Sequence, residues 1–292
     1  MFFITQHAIV KNKRRIYLMG RLEGKVSIIT GAGSGFGEEA ALLFAEEGAK
    51  IVAVDINSDE GKRVTDTIKQ KGGEAIFIQG DVSSDADWKK IIKTTIDTYG
   101  KLDTLFNNAG ICIMKDNADI SRVEDDVFEK TMAVNVKGVW LGIKNAAAEL
   151  VKTEGAIVNT ASMAAFKGPL GACAYATSKG AVVAMTYAVA NELGVWGVRC
   201  NCISPYAADT KIGSTVPIEM VNMAKSGNPL RTTINPKDIA YTALFLSTDE
   251  CKCVNGSNYF VDAGTMTMTQ PCSIQAFIDS NPYEGGKSRW DF

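Results

Sequence analysis

The feature that most restricts the fold of this chain is an alternation of short apolar runs with helical patterns. The runs are Val26–Thr30, Ile51–Asp55, Ala75–Gln79, Thr104–Asn107, Ala156–Thr160, Arg199–Ile203 and Tyr259–Val261. Helical patterns fall between them at Glu38–Glu47, Asp59–Gln70, Ala86–Thr98, Val127–Leu150 and Ala172–Leu193. Several runs are apolar almost throughout. Strands of that kind are covered on both faces, as in a parallel sheet whose crossovers are helices. The expected fold class is therefore α/β, with a doubly wound parallel sheet and helices on both sides, three layers in all.

Bulk properties agree with one folded domain. The chain has 292 residues, 46% of them hydrophobic and 22% charged, which excludes disorder over most of its length. The regular pattern begins after Met19, so residues 1–19 are expected to form an N-terminal arm. The domain is expected over 20–268. Residues 269–292, with Pro271, Pro282 and Gly285-Gly286, form an irregular C-terminal extension that either reaches a neighbouring subunit or covers a pocket. The 31 basic and 33 acidic residues form no long basic stripe, so no nucleic-acid partner is expected. No apolar stretch approaches the ~18 to 20 residues of a membrane helix, so no membrane partner is expected either. The N-terminus places its apolar run before its basic cluster, the reverse of a secretory signal, which points to a cytoplasmic location.

The single histidine, His7, lies in the arm. The body therefore cannot contain a Ser-His-Asp or Cys-His nucleophile, nor a multi-histidine metal site. Seven cysteines without a signal argue against a disulfide framework. Cys200-x-Cys202 and Cys251-x-Cys253 have one intervening residue, whereas paired zinc ligands usually have two to four. No metal is expected, and these cysteines read as small hydrophobes.

The first strand runs into Thr30-Gly31-Ala32-Gly33-Ser34-Gly35-Phe36-Gly37 and then a helix. Glycines here allow a tight turn and close approach of backbone to a pyrophosphate. The helix start adds free N–H groups for the phosphates. A Rossmann-like, dinucleotide-binding sheet is the expectation, with Gly31, Ser34, Gly35, Phe36 and Gly37 as cofactor contacts. Asp55 ends the second strand, 18 residues after Gly37. A carboxylate there can accept hydrogen bonds from ribose hydroxyls and repels a 2′-phosphate. No Arg or Lys lies in the turn or directly after Asp55, so NAD is the expected cofactor. Asp81-Val82 follows the third strand and either flanks an adenine ring or caps a helix.

Tyr175 and Lys179 stand four apart in a helical pattern and share a face. A free phenol has a pKa of about 10. A nearby ammonium favours its ionised form, and such a phenol can take a proton from an alcohol or return one to a ketone. The pair alone is a common spacing. Its surroundings are not: Asn107-Asn108-Ala109-Gly110 ends the fourth strand, Asn135 sits in Met132–Gly138, and Ser162 closes the fifth strand 13 residues before Tyr175.

In the order and spacing of these motifs the chain resembles the short-chain dehydrogenase/reductase family over residues 20–268. The resemblance implies an NAD-dependent oxidoreductase. Tyr175 would be general acid/base, Lys179 would lower its pKa and bind the nicotinamide ribose, and Ser162 would hold the substrate oxygen. Asn135 would support a water-linked proton relay by keeping its helix locally opened. Asn108, Ala109 and Gly110 would pack beside the adenosine, with Pro205 and Thr210 near the nicotinamide. A homotetramer is implied too.

The substrate is expected to be a hydrophobic, cyclic secondary alcohol of terpenoid or steroid type and its ketone. Ile113, Met163, Phe166, Tyr206 and Met220 are the candidate substrate contacts, the last in an apolar lid over 212–231. The family commonly has Pro-Gly where this chain has Pro205-Tyr206. Two alternatives remain at this stage. One is a 3-oxoacyl or polyketide ketoreductase of the same family, which normally favours NADP. The other is a non-catalytic dinucleotide-binding sensor, which would be expected to lose Tyr175 or Lys179.

Overall fold

Val26–Thr30 is buried at every position and becomes an interior strand, third in order, of a sheet with seven strands among the described residues. The structure is a computed structural model that describes residues 20–113, 120–169, 171–208 and 228–268. The expected arm, the C-terminal extension, Thr210, Met220 and most of the lid lie outside the described residues. The strands are β1 Val26–Thr30, β2 Lys50–Asp55, β3 Ala75–Gln79, β4 Thr104–Asn107, β5 Ala156–Thr160, β6 Arg199–Pro205 and β7 Asn258–Val261. All pairings are parallel, in the order β3-β2-β1-β4-β5-β6-β7. The chain moves outward from β1 to β3, then crosses back to β4. The strand order reverses between β1 and β4, which opens a crevice at their carboxyl ends.

Successive strand residues face opposite sides, and each side has its own core. Ile29, Phe106 and Val158 pack with α1 (Gly35–Glu46), α2 (Ser58–Gln70) and α7 (Pro236–Ser247) through Phe44, Ile68 and Leu244. Ile28, Leu105 and Ile157 pack with α3 (Asp85–Tyr99), α5 (Gly138–Thr153) and α6 (Cys173–Gly194) through Trp88, Leu150 and Val182. The expected three-layer, doubly wound sheet is thus the fold. Cys200 and Cys202 belong to the second core, as small apolar side chains.

Local chemistry explains the helix starts. Asn57 accepts from the N–H groups of Asp59 and Glu60 at α2, and Ser84 accepts from Asp87 at α3. Asn235 and Asp238 form a capping box at α7, with Pro236 in the first turn. That signature was present in the sequence, yet α7 was not among the expected helices. Its apolar run, Ile239–Leu246, has no polar alternation and reads equally as a buried strand.

The expected long helix Val127–Leu150 is divided. α4 covers Asp125–Met132, a π-helical turn covers Ala133–Lys137, and α5 continues from Gly138. A π turn takes an extra residue, and here that residue brings the Asn135 side chain into the protein interior.

A chain of amides crosses the second core. Asn107 Nδ2 donates to Asn159 Oδ1 (2.9 Å), and Asn159 Nδ2 donates to Thr186 Oγ1 (3.0 Å). α5 approaches this line so closely that a Cβ on Gly142 would lie 2.6 Å from Asn107 Oδ1 and 2.7 Å from the Trp88 ring. Gly142→Ala should therefore destabilise the protein by about 1–3 kcal/mol through overpacking. In urea denaturation its midpoint should fall with the slope unchanged, and an unaltered midpoint would refute the packing argument.

Candidate active site

A cavity of about 530 Å³ opens at the carboxyl ends of the strands. Its first end is the turn between β1 and α1. Gly31 and Gly35 have φ of +63° and +57°, values that favour glycine. Gly37 lies under the turn, where a Cβ would be 2.1 Å from the Gly31 carbonyl oxygen. Ser34, unlike Asn57, Ser84 and Asn235, makes no side-chain cap bond. The first N–H groups of a helix have no intrahelical partners, and Gly31, Ser34, Gly35 and Phe36 line the cavity. This is a cradle for anionic oxygens.

Asp55 closes that end. Its carboxylate accepts from Gly33 N–H (2.8 Å) and Asn57 N–H (2.9 Å) and still has acceptor capacity toward the cavity it lines. Arg63, on α2, reaches the same turn and donates to the Gly33 carbonyl at 3.2 Å. The absence of basic residues near the turn in sequence therefore does not hold in space.

Asn108 ties the turn to β4. Thr30 Oγ1 accepts from the N–H groups of Asn108 (2.9 Å) and Ala109 (3.0 Å), and Asn108 Nδ2 donates to the Thr30 carbonyl (3.0 Å). Asp81 and Val82 line the wall beyond β3. Asp81 accepts from Ser83 N–H and Oγ, and the Val82 carbonyl accepts from Trp88 Nε1.

The second end holds the titratable groups. Tyr175 and Lys179 lie near the start of α6, and Ser162 lies just past β5. All three line the cavity. Lys179 Nζ donates to the Thr160 carbonyl (2.7 Å) and sits 5.7 Å from the centre of the Tyr175 ring. Burial lowers Lys179 to about 8. Burial also pushes the Tyr175 phenol up to about 12, against the opposing effect of a hydrogen bond with Ser162. Desolvation is the largest cause for both groups.

Asn135 stands behind the wall. Its Oδ1 accepts from Ile111 N–H (2.8 Å), and its Nδ2 donates to the Ile111 carbonyl (2.8 Å) and Ser178 Oγ (3.0 Å). Its Oδ1 and Lys179 Nζ both face Gly110, where a Cβ would lie 3.2 and 3.3 Å from them. The π turn thus fixes the loop after β4 beside the lysine.

The cavity wall also includes Ala109, Gly110, Pro205 and Tyr206, all expected site residues. Three expected substrate residues are placed away from it. Met163 is buried as the first residue of a 3-10 turn, in which Ser162 Oγ accepts from Ala164 N–H (3.1 Å). Phe166 turns outward and meets Phe260 edge-on, ring centres 4.9 Å apart. Ile113 is half-buried beyond Ile111, which does line the wall. Lys130, Val134 and Thr160 are on the wall without having been expected. Lys130 and Val134 come from α4 and the π turn, whose path depends on tertiary packing. Among the described residues no group of three or more His, Cys, Asp or Glu side chains could hold a metal, and no helix is long and apolar enough to cross a membrane.

Comparison with known proteins gives a consistent picture. A family model described as "Enoyl-(Acyl carrier protein) reductase" matches residues 31–266. Secoisolariciresinol dehydrogenase of Forsythia intermedia is 37% identical over 89% of this chain and 95% of its own. A mitochondrial borneol dehydrogenase of Lavandula x intermedia is 38% identical over 90% and 98%. Among solved structures, a 3-ketoacyl-(acyl-carrier-protein) reductase from Brucella melitensis, complexed with NADH, is 33% identical, with a TM-score of 0.78 over 84% of this chain and 99% of that one.

The depressed lysine has a measurable consequence in the ligand-free protein. With Lys179 at about 8 when folded and about 10.4 when unfolded, the unfolded chain binds more protons between those values. The contribution of Lys179 to stability should therefore rise with pH across that window. Melting temperatures from pH 7.5 to 10 should climb less steeply in Lys179→Met than in the wild type. Parallel profiles would show that the ammonium is not desolvated.

Proposed function

Because the chain belongs to the short-chain dehydrogenase/reductase family, we propose that it is an NAD-dependent oxidoreductase that interconverts a hydrophobic, cyclic secondary alcohol and its ketone. The observation that carries this reading is that Ser162, Tyr175 and Lys179 share one cavity with an uncapped glycine turn and Asp55. The cradle fits a dinucleotide: free helix N–H groups suit the phosphates, a carboxylate suits ribose hydroxyls, and glycine at position 37 avoids a Cβ clash. The relative complexed with NADH supports a nicotinamide cofactor, and Asp55 supports NAD within that class.

A bound oxidised nicotinamide supplies a hydride acceptor and a positive charge. The protein's own groups handle the proton and the position of the substrate. Ser162 Oγ donates to the substrate oxygen. Tyr175 takes the proton from that oxygen in oxidation and returns it in reduction. Burial favours the protonated phenol, the form that gives its proton to a ketone. Lys179, held by the Thr160 carbonyl, sets its ammonium beside the Tyr175 ring and favours the phenolate that takes the proton in oxidation. Asn135 keeps the loop at Ile111 in place and so keeps the relay side of Lys179 open. Asn108, Ala109, Gly110, Asp81, Val82, Pro205 and Thr210 belong to the same reading as cofactor contacts.

Ile111, Val134, Tyr206 and Ala207 give the substrate end an apolar wall, which supports a hydrophobic alcohol. Its similarity to a secoisolariciresinol dehydrogenase and a borneol dehydrogenase supports the same class. A homotetramer is part of this reading, supported by exposed Phe128 and Trp140, which line an apolar groove with Met132 and Met185.

Tyr175→Phe should lower kcat by roughly a hundredfold or more while NADH titration still reports binding. Near-normal turnover of a cyclic alcohol panel by that variant would overturn the mechanism. If the wild type reduces 3-oxoacyl thioesters and leaves the whole panel untouched, the substrate class is wrong although the chemistry stands.

A further inference from the structure

The Arg63 guanidinium has three hydrogen bonds at the adenosine end of the cavity. Its Nε donates to Glu60 Oε2 (2.8 Å), its Nη1 to Glu38 Oε1 (2.7 Å), and its Nη2 to the Gly33 carbonyl (3.2 Å). The N–H of the same Gly33 donates to Asp55 Oδ2 (2.8 Å). One residue of the glycine turn thus links the guanidinium to the carboxylate assigned to the ribose. The packing is close: a Cβ on Gly33 would lie 2.9 Å from both Asp55 Oδ2 and Glu60 Cβ.

Two carboxylates, Glu38 and Glu60, hold this guanidinium, and a third, Asp55, is bonded to the same Gly33. Hydrogen bonds to Glu38 and Glu60 hold Arg63 well above its already high ordinary range, so it stays charged. The net field at the ribose end is negative. A 2′-hydroxyl can donate into it, whereas a phosphomonoester carrying about two negative charges is repelled. A simple stitch between α1 and α2 would need only the carboxylate contacts, which are half-exposed and of little energetic weight. The third contact, to the turn itself, places the guanidinium where a phosphate on that ribose would look for a fork of donors.

We propose that Arg63 is a latent 2′-phosphate ligand held in check by Glu38 and Glu60, so that cofactor choice depends on those two carboxylates as well as on Asp55. This rests on the dinucleotide reading above and adds three residues to it. Losing the Asp55 charge removes one source of repulsion but leaves the guanidinium occupied. Losing the Glu60 charge as well releases the Nε donor of a guanidinium held at the Gly33 carbonyl, the residue whose N–H binds Asp55.

The test is a binding titration of the full-length protein with NADH and NADPH, read by nucleotide fluorescence without substrate. The wild type should prefer NADH, and Asp55→Ser should narrow that preference. Asp55→Ser with Glu60→Gln should bind NADPH roughly tenfold or more tightly than Asp55→Ser alone, the effect of one charge-assisted contact. Adding Arg63→Met should remove that gain, and adding Arg63→Lys should keep part of it. If Glu60→Gln does not fold, Glu38→Gln releases the same guanidinium from its other side. Equal NADPH affinity with and without Arg63→Met overturns the inference. Failure of the wild type to bind either nucleotide overturns the proposed function itself. NADH binding without an Arg63-dependent gain for NADPH overturns only the role of Arg63.

Discussion

A parallel sheet covered on both faces leaves no side for polar chemistry, so polar groups collect along the carboxyl ends of its strands. β1, β4, β5 and β6 are buried throughout. Where they end, the backbone carbonyls and the first residues of the following loops become the only construction material. Thr30, Asn108, Thr160 and Ser162 occupy those positions, and the hydrogen bonds among them close one loop onto the next. The Lys179 bond to the Thr160 carbonyl adds the reactive helix to that edge. The site is therefore a property of the strand ends, and its precision comes from two cores that have no slack beneath them.

The parts legible in the sequence were those governed by local rules. β-branched runs such as Val26–Thr30 and Ala156–Thr160 marked strands to the residue, because a strand buried on both faces tolerates little else. The glycine turn, Asp55, and the Ser162, Tyr175 and Lys179 spacing were likewise readable, since each needs a particular residue at a particular turn. What was not readable depended on distant partners. The resemblance implied a locally opened helix at Asn135, but the partner of that amide in the π turn, Ile111, lies 24 residues away. Phe166 leaves the cavity because Phe260 offers an edge to pack on. Arg63 reaches Gly33 across 30 residues of chain. The missed helix Pro236–Ser247 is different: its capping box was in plain view, and its apolar content hid it.

Tyr175 and Lys179 illustrate a competition that sequence spacing cannot settle. Coulomb attraction between an ammonium and a phenolate favours ionising Tyr175, while burial penalises that charge. Burial is the larger effect for both residues, moving phenol and lysine in opposite directions.

The glycine turn belongs to the layer of α1, α2 and α7, whereas Tyr175 and Lys179 belong to the layer of α5 and α6. Apart from the sheet, the cavity is where these two layers meet. A molecule lying along it would brace one against the other and would exist only on the folded protein. Occupancy then converts directly into resistance to unfolding: at a hundred times its dissociation constant such a ligand adds about 2.7 kcal/mol. Resistance to heat and proteolysis in the cell would thus track the supply of dinucleotide, and the protein would persist longest where its chemistry can run.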